Sequence, residues 1–217
     1  MLYTQTTLKP APVKRVLKRT FPSSLGIDFI AMMEGTSDED LMLSYQQGNA
    51  AAFEVLYERH KGGVYRYLLA KCYRQEIAEE LFQDVWMKLI AARDRYEISA
   101  KFTTYLYRLA HNHFIDYYRK TRTDVFQKKD QDEDIEHIKA TGQLQADEQL
   151  EIQRQTETLS RLVDCLPDEQ REAFMLKEEA GLTVTEIAEV TGVSAEAAKS
   201  RLRYAVKKLR AGLKEND

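Results

Sequence analysis

A chain of 217 residues with 43% hydrophobic and 31% charged residues and a mean hydropathy of -0.52 has the composition of a soluble globular protein with room for two small domains. Its nine Gly and four Pro are few for a turn-rich sheet, and long stretches of Leu, Ala, Glu, Lys, Arg and Gln predict an all-α fold. No apolar run approaches the roughly 20 residues of a membrane span, the N-terminus lacks a signal-peptide core, and Cys72 and Cys165 have no CxxC or His partner at ligand spacing, so a cytoplasmic protein without membrane insertion or metal is expected.

Residues 1–36 show no sustained period and are basic around Lys14, Arg15, Lys18 and Arg19, which predicts a disordered extension; a start at Met32 or Met33 is an alternative reading. Order is expected from Ser37, an N-cap candidate followed by Asp38, Glu39 and Asp40 in the first turn, where carboxylates complement the helix dipole. Asn49 reads as the cap of a second helix with Ala50, Phe53, Leu56, Tyr57 and His60 on one face. A third helix is predicted from about Gln75 to Ala92 with Ile77, Leu81, Val85, Leu89 and Ile90 as its buried stripe, and a fourth from about Phe102 to Thr121. Residues 37–122 thus form one compact bundle, 123–157 an acidic flexible linker, and 158–213 a second domain with helices near Leu159–Leu166, Pro167–Glu179, Thr183–Val190 and Ser194–Leu213.

The net charge of -3 hides a segregation. Lys101 to Arg122 carries five basic side chains against the single acid Asp116, Ala197 to Lys214 carries seven and no acid, and Asp124 to Glu157 holds ten acids against four bases. The second basic stretch follows a helix-turn-helix pattern: Thr183 and Glu186 have capping-box spacing, Gly192 supplies a turn, and Ser194 caps the next helix. Ala198, Leu202, Val206, Leu209 and Leu213 fall at core spacing there, leaving Glu196, Lys199, Ser200, Arg203 and Lys207 on a face suited to the DNA major groove. In the first stretch, bases alternate with Tyr96, Phe102, Tyr105, Tyr107, Phe114, Tyr117 and Tyr118, a pattern that stacks on separated bases, although several of these rings are needed for a core. Glu76, Glu79, Glu80, Gln83 and Asp84 make an acidic face opposite the stripe of the third helix, either solvated or a dock for a basic partner. There is no GxGxxG, P-loop, metal-spaced His/Cys cluster or nucleophile signature, so neither enzyme activity, a cofactor nor a small-molecule substrate is expected.

Taken in order, Asp40-Leu41, Ala51-Ala52-Phe53, Leu56-Tyr57, Ala78 to Trp86, Tyr105 to Ala110, Asn112, Asp116 to Arg119, Leu166-Pro167, Gln170-Arg171, Glu186 to Ala188 and Lys199 to Arg201 resemble the extracytoplasmic-function sigma factors of the sigma-70 family, over about Ser37 to Leu213. That resemblance implies an alternative sigma factor that binds RNA polymerase core and promoter DNA. It assigns Glu79, Glu80, Gln83 and Asp84 to the clamp coiled coil of the largest polymerase subunit. It assigns the segment from Arg95 to Thr104, with Lys101, Thr104, Tyr105, Arg108, Asn112, Asp116 and Arg119, to opening and reading the -10 element, and Glu196 to Lys207 to the -35 element. The resemblance implies a cognate anti-sigma factor as a further partner, with control by phosphorylation, tails or transcription as the alternatives. The chain departs from the family at Glu196-Ala197-Ala198, where Gly-Thr-Val is usual, and at Ile77, where an acid is usual. The competing reading is a sigma-like regulator-binding mimic, or a helix-turn-helix repressor, without initiation activity.

Overall fold

The computed structural model describes residues 35–127 and 157–215, and every regular element among them is helical. The helices are α1 (Asp38–Gln46), α2 (Ala50–Cys72), α3 (Gln75–Ala92), α4 (Phe102–Gln127), α5 (residues 157–164), α6 (Asp168–Ala180), α7 (Val184–Thr191) and α8 (Ala195–Glu215), with a single 3-10 turn at Arg93–Arg95. Of the expected basic extension over residues 1–36, residues 1–34 lie outside the described residues, as do residues 128–156 of the expected acidic linker over 123–157, whose first five residues instead continue α4.

Local chemistry sets most boundaries. The Ser37 hydroxyl accepts from the Asp40 N–H at 3.1 Å and starts α1, whose first turn carries three acids as the dipole favours. Asn49 stands at the N-cap of α2, but its amide donates to the Ser44 hydroxyl at 3.0 Å instead of capping the helix. Helix α2 runs on through Gly62-Gly63 to Tyr73, a non-glycine residue in the left-handed region at φ 59°. In the second half, the reciprocal Thr183–Glu186 capping box is present, Gly192 at φ 68° ends α7, and the Ser194 hydroxyl accepts from the Ala197 N–H at 3.2 Å, so the helix-turn-helix is built as its residues require.

Trp86 centres the N-terminal core, fully buried between Phe53, Tyr57 and Phe82 with ring centroids 4.9–6.2 Å away in edge-on arrangements. The α3 stripe is therefore Ala78, Leu81, Val85, Trp86 and Leu89, and the expected Ile77 and Ile90 lie at its half-buried margins. Likewise Ala205 joins Ala198 and Leu209 in the buried face of α8, while Leu202 and Val206 are half-buried. A smaller cluster of Val163, Leu166, Ala205 and Leu209 ties α5 and α8 to the α6 entry.

The two halves pack on each other. Helix α6 lies along α2 and α7 along α4, and Ala173, Leu176, Leu182, Ile187, Ala188 and Val190 merge with the N-terminal core into one apolar cluster. Gly63 permits the approach: a Cβ there would stand 2.6 Å from the Tyr107 hydroxyl and 3.1 Å from the Glu179 carbonyl. Helix propensity alone favours Gly→Ala by about 1 kcal/mol, whereas overpacking costs about 1–3 kcal/mol. Because one obstructing atom is backbone, the steric cost wins, and Gly63→Ala is expected to lower the melting temperature; a rise would show that the halves do not meet here.

Candidate nucleic-acid interface

The recognition helix presents its charge as expected. Ala198, Ala205 and Leu209 hold α8 against α6 and α7, and Glu196, Lys199, Arg203 and Lys207 are left exposed with Ser200 half-buried beside them. Arg201 turns the other way and pairs with Glu169 at 2.9 Å, a structural use of one of the seven bases. Tyr204, not singled out from the sequence, is 48% exposed with the Arg203 guanidinium 5.0 Å from its ring centroid. An aromatic ring on the charged face adds a stacking or thymine-methyl contact to the available phosphate contacts.

Helix α4 carries the second set. Asn112, Asp116 and Arg119 are exposed along its outer face, and Tyr105 is half-buried with its ring 5.4 Å from Tyr96. Lys101 and Arg108 point to α7, where Lys101 meets Glu186 at 3.0 Å and Arg108 meets Glu189 at 2.8 Å. Thr104 lies between them at i+3 and i-4 on that same face, is fully buried, and its hydroxyl has no hydrogen-bond partner. Thr104, expected as a DNA contact, is therefore not exposed in this arrangement.

The contact between the halves has an ionic centre that sequence reading missed. Glu172 of α6, 7% exposed, accepts from the Tyr67 hydroxyl at 2.8 Å and lies 2.8 Å from His111 Nδ1 and 2.9 Å from Lys71 Nζ. Burial pushes its carboxyl pKa upward, but the His111 hydrogen bond and the Lys71 charge outweigh that and bring it down to about 2. Around this centre, Arg66 pairs with Glu179 at 2.6 Å, and Arg171 donates to the Ala70 carbonyl at 2.9 Å while its guanidinium stacks on Tyr73 at 4.4 Å. The folded carboxyl titrates below its ordinary value of 4.5, so its contribution is complete above that value and is lost as pH falls toward 2. The shift corresponds to about 3 kcal/mol. Acid titration from about pH 5 toward 2 is accordingly expected to separate the halves in wild type, followed by small-angle scattering; a Glu172→Gln variant, lacking this titration, is expected to show a weaker pH dependence.

Helix α3 keeps Glu76, Glu79, Glu80 and Gln83 exposed, with Gln75 bridging to Glu79 at 2.9 Å. Asp84 is half-buried and lies 3.0 Å from His113 Nε2 of α4, so the acidic face borders the basic helix. His111 and His113 serve Glu172 and Asp84 separately, and no group of three or more metal-capable side chains occurs among the described residues. Cys72, half-buried with its thiol pushed by burial up to about 12, and exposed Cys165 are both free. No described helix is long and apolar enough to cross a membrane.

A capped helix-turn-helix with a cationic recognition face, joined to a basic aromatic helix, defines a DNA-binding protein of transcription. The Sigma-70 region 2 family model matches residues 56–123 and the Sigma-70, region 4 model residues 156–209. The RNA polymerase sigma factor CarQ of Myxococcus xanthus is 30% identical over 170 residues, covering 78% of this chain and 93% of that protein. The extracytoplasmic-function sigma factor SigM of Bacillus subtilis is 30% identical over 156 residues, covering 72% and 91%. Among solved structures, the sigma factor RpoE of Bartonella quintana, in complex with the anti-sigma factor NepR, superposes with a TM-score of 0.57 at 22% identity over 75% of this chain and 96% of that one. CnrH in complex with the cytosolic domain of CnrY gives 0.55 at 23% identity over 83% and 99%. These two likenesses concern the fold. The chain belongs to the extracytoplasmic-function group of the sigma-70 family, and as an alternative sigma factor it directs transcription initiation.

Proposed function

We propose that the chain works in the cytoplasm as a non-catalytic subunit that joins RNA polymerase core and places two DNA-reading surfaces on a promoter. Residues 37–122 act as the region-two domain and 158–213 as the region-four domain. Glu79, Glu80, Gln83 and Asp84 grip the clamp coiled coil of the largest subunit; Lys101, Tyr105, Arg108, Asn112, Asp116 and Arg119 hold the -10 element, with Thr104 joining them once uncovered. Glu196, Lys199, Ser200, Arg203 and Lys207 read the -35 element, and the replaced Gly-Thr-Val positions shift its preference, since Glu196 can accept from cytosine N4.

The observation that carries this reading is the pairing of Lys101 and Arg108 with Glu186 and Glu189 of the helix-turn-helix. Carboxylates there occupy the cations that the promoter backbone would otherwise meet, so the packed form is a resting state and the DNA-competent form is open. An anti-sigma factor that grips both halves would stabilise the resting state; of the two solved neighbours, one is in complex with the anti-sigma factor NepR and the other with the cytosolic domain of CnrY. A repressor without initiation activity gains nothing from covering a second basic helix. Fluorescence anisotropy on a -10 fork junction tests the reading: tight, salt-dependent binding is expected with core present and weak binding with either component alone. Equal binding by the free chain would contradict it.

A further inference from the structure

Helix α1 lies against the loop that leads into α4 and holds both of its ends. Glu39 and Gln46 are seven residues apart on one face of α1, roughly 10 Å along the axis. At the N-terminal end of the loop, the Gln46 amide donates to the Asp94 and Tyr96 carbonyls, both at 3.2 Å. At the other end, the Glu39 carboxylate accepts from the Phe102 N–H at 2.6 Å, satisfying one of the orphan donors at the start of α4. Tyr45, between them on the helix, places its ring 5.4 Å from the Arg93 guanidinium. Tyr96 is buried, with its ring edge-on to Phe102 and Tyr105, while Glu97, Ile98 and Ser99 stand exposed between the two anchors and Ile98 is 52% exposed.

Both ends of the loop that carries exposed Ile98 are thus hydrogen-bonded to one helix outside it, beside the packing of Tyr96 within. From this geometry we propose that Glu39 and Gln46 are positioning residues for strand capture: they hold the Asp94–Phe102 loop so that Ile98 meets the opened -10 strand without a prior ordering step. The inference rests on the proposed hold on the -10 element, and on the part in opening it that the family resemblance implies for the Arg95 to Thr104 segment. Its physical basis is preorganisation, because a loop tethered at both ends has already lost the freedom that binding would otherwise remove. The two anchors differ in chemistry: position 39 must accept a hydrogen bond and position 46 must donate.

That difference provides the test, performed with the full chain assembled on core polymerase and a promoter on which the wild type initiates. Opening is read as permanganate reactivity of -10 thymines, beside core affinity and the melting temperature of the free chain. Glu39→Ala and Gln46→Ala are each expected to reduce opening about tenfold, the scale of one net hydrogen bond, with core affinity within twofold of wild type. Glu39→Gln, whose amide oxygen still accepts from Phe102, is expected to recover most of the opening. Gln46→Glu, equal in shape but without a donor, is expected to fail as Gln46→Ala does. Wild-type opening in both alanine variants would overturn the inference, and so would a parallel fall in core affinity, melting temperature and opening, which marks a merely structural role. If the wild-type protein opens no promoter while its core binding is intact, the sigma reading itself fails and takes the inference with it.

Discussion

Glu172→Ala is expected to open the molecule. The carboxylate is the only acid that Lys71, His111 and the Tyr67 hydroxyl meet in the described contacts of this buried centre, and removing one partner of a buried ionic group costs about 3–5 kcal/mol because the remaining groups stay desolvated. The partly exposed Arg66–Glu179 and Arg108–Glu189 pairs are worth about 1 kcal/mol each and cannot offset that loss. Glu172 spends its hydrogen bonds across the contact; the Leu166, Ala205 and Leu209 cluster lies wholly within the second half, whereas the larger Trp86 cluster is shared between the two. Small-angle scattering should therefore show a larger radius of gyration with unchanged helical circular dichroism. Free Glu172→Ala protein should also bind a single-stranded -10 oligonucleotide more tightly than wild type, because Lys101, Thr104 and Arg108 are released. An unchanged radius would contradict the assigned role of the ionic centre.

The second large effect is on polymerase. Reversing Glu79 and Asp84 to lysine places two cations on a face that otherwise carries Glu76, Glu79 and Glu80 exposed and Asp84 at its border. Like-charge juxtaposition across an interface costs several kcal/mol, so the double variant should bind core polymerase at least 100-fold more weakly. Asp84→Lys also removes the partner of His113, which makes Glu79→Lys alone the control for disturbance of α4. That control should weaken core binding while leaving recognition of a -35 duplex by the C-terminal half unchanged. Core binding within twofold of wild type in the double variant would remove α3 as the docking face.

Much of this architecture is legible in the residues. Caps and turns are local, so Ser37, the Thr183–Glu186 box, Gly192 and Ser194 announce their helix ends without tertiary information. The exposed face of α8 follows from spacing alone. Asn49 was less legible, since an amide can cap a helix or bond backward, and the nearby Ser44 hydroxyl decides. Trp86 and Ala205 fell outside the expected stripes because a helix of 3.6 residues per turn buries a band that drifts with its neighbours, whereas a fixed repeat names one line of residues. An acidic tether lets the two halves fold together, but the residues of their contact were not legible. Glu172 sits in an acidic helical stretch that reads as solvated, and only folding reveals that Lys71 and His111, far away in sequence, converge on it. Thr104 shows the same limit: its position on the basic face was readable, its burial was not. The roles of Glu39 and Gln46 likewise depend on a loop that is distant along the chain.

The central claim is that this chain confers promoter-specific initiation on RNA polymerase, and run-off transcription with purified core on the promoter upstream of its own gene tests it most directly. The account predicts a discrete transcript that requires the wild-type protein and disappears with Glu79→Lys/Asp84→Lys. Absence of any transcript across a range of promoters, with the Glu172→Ala open form as well as wild type, would contradict it and favour a sigma-shaped protein that binds a regulator without initiating.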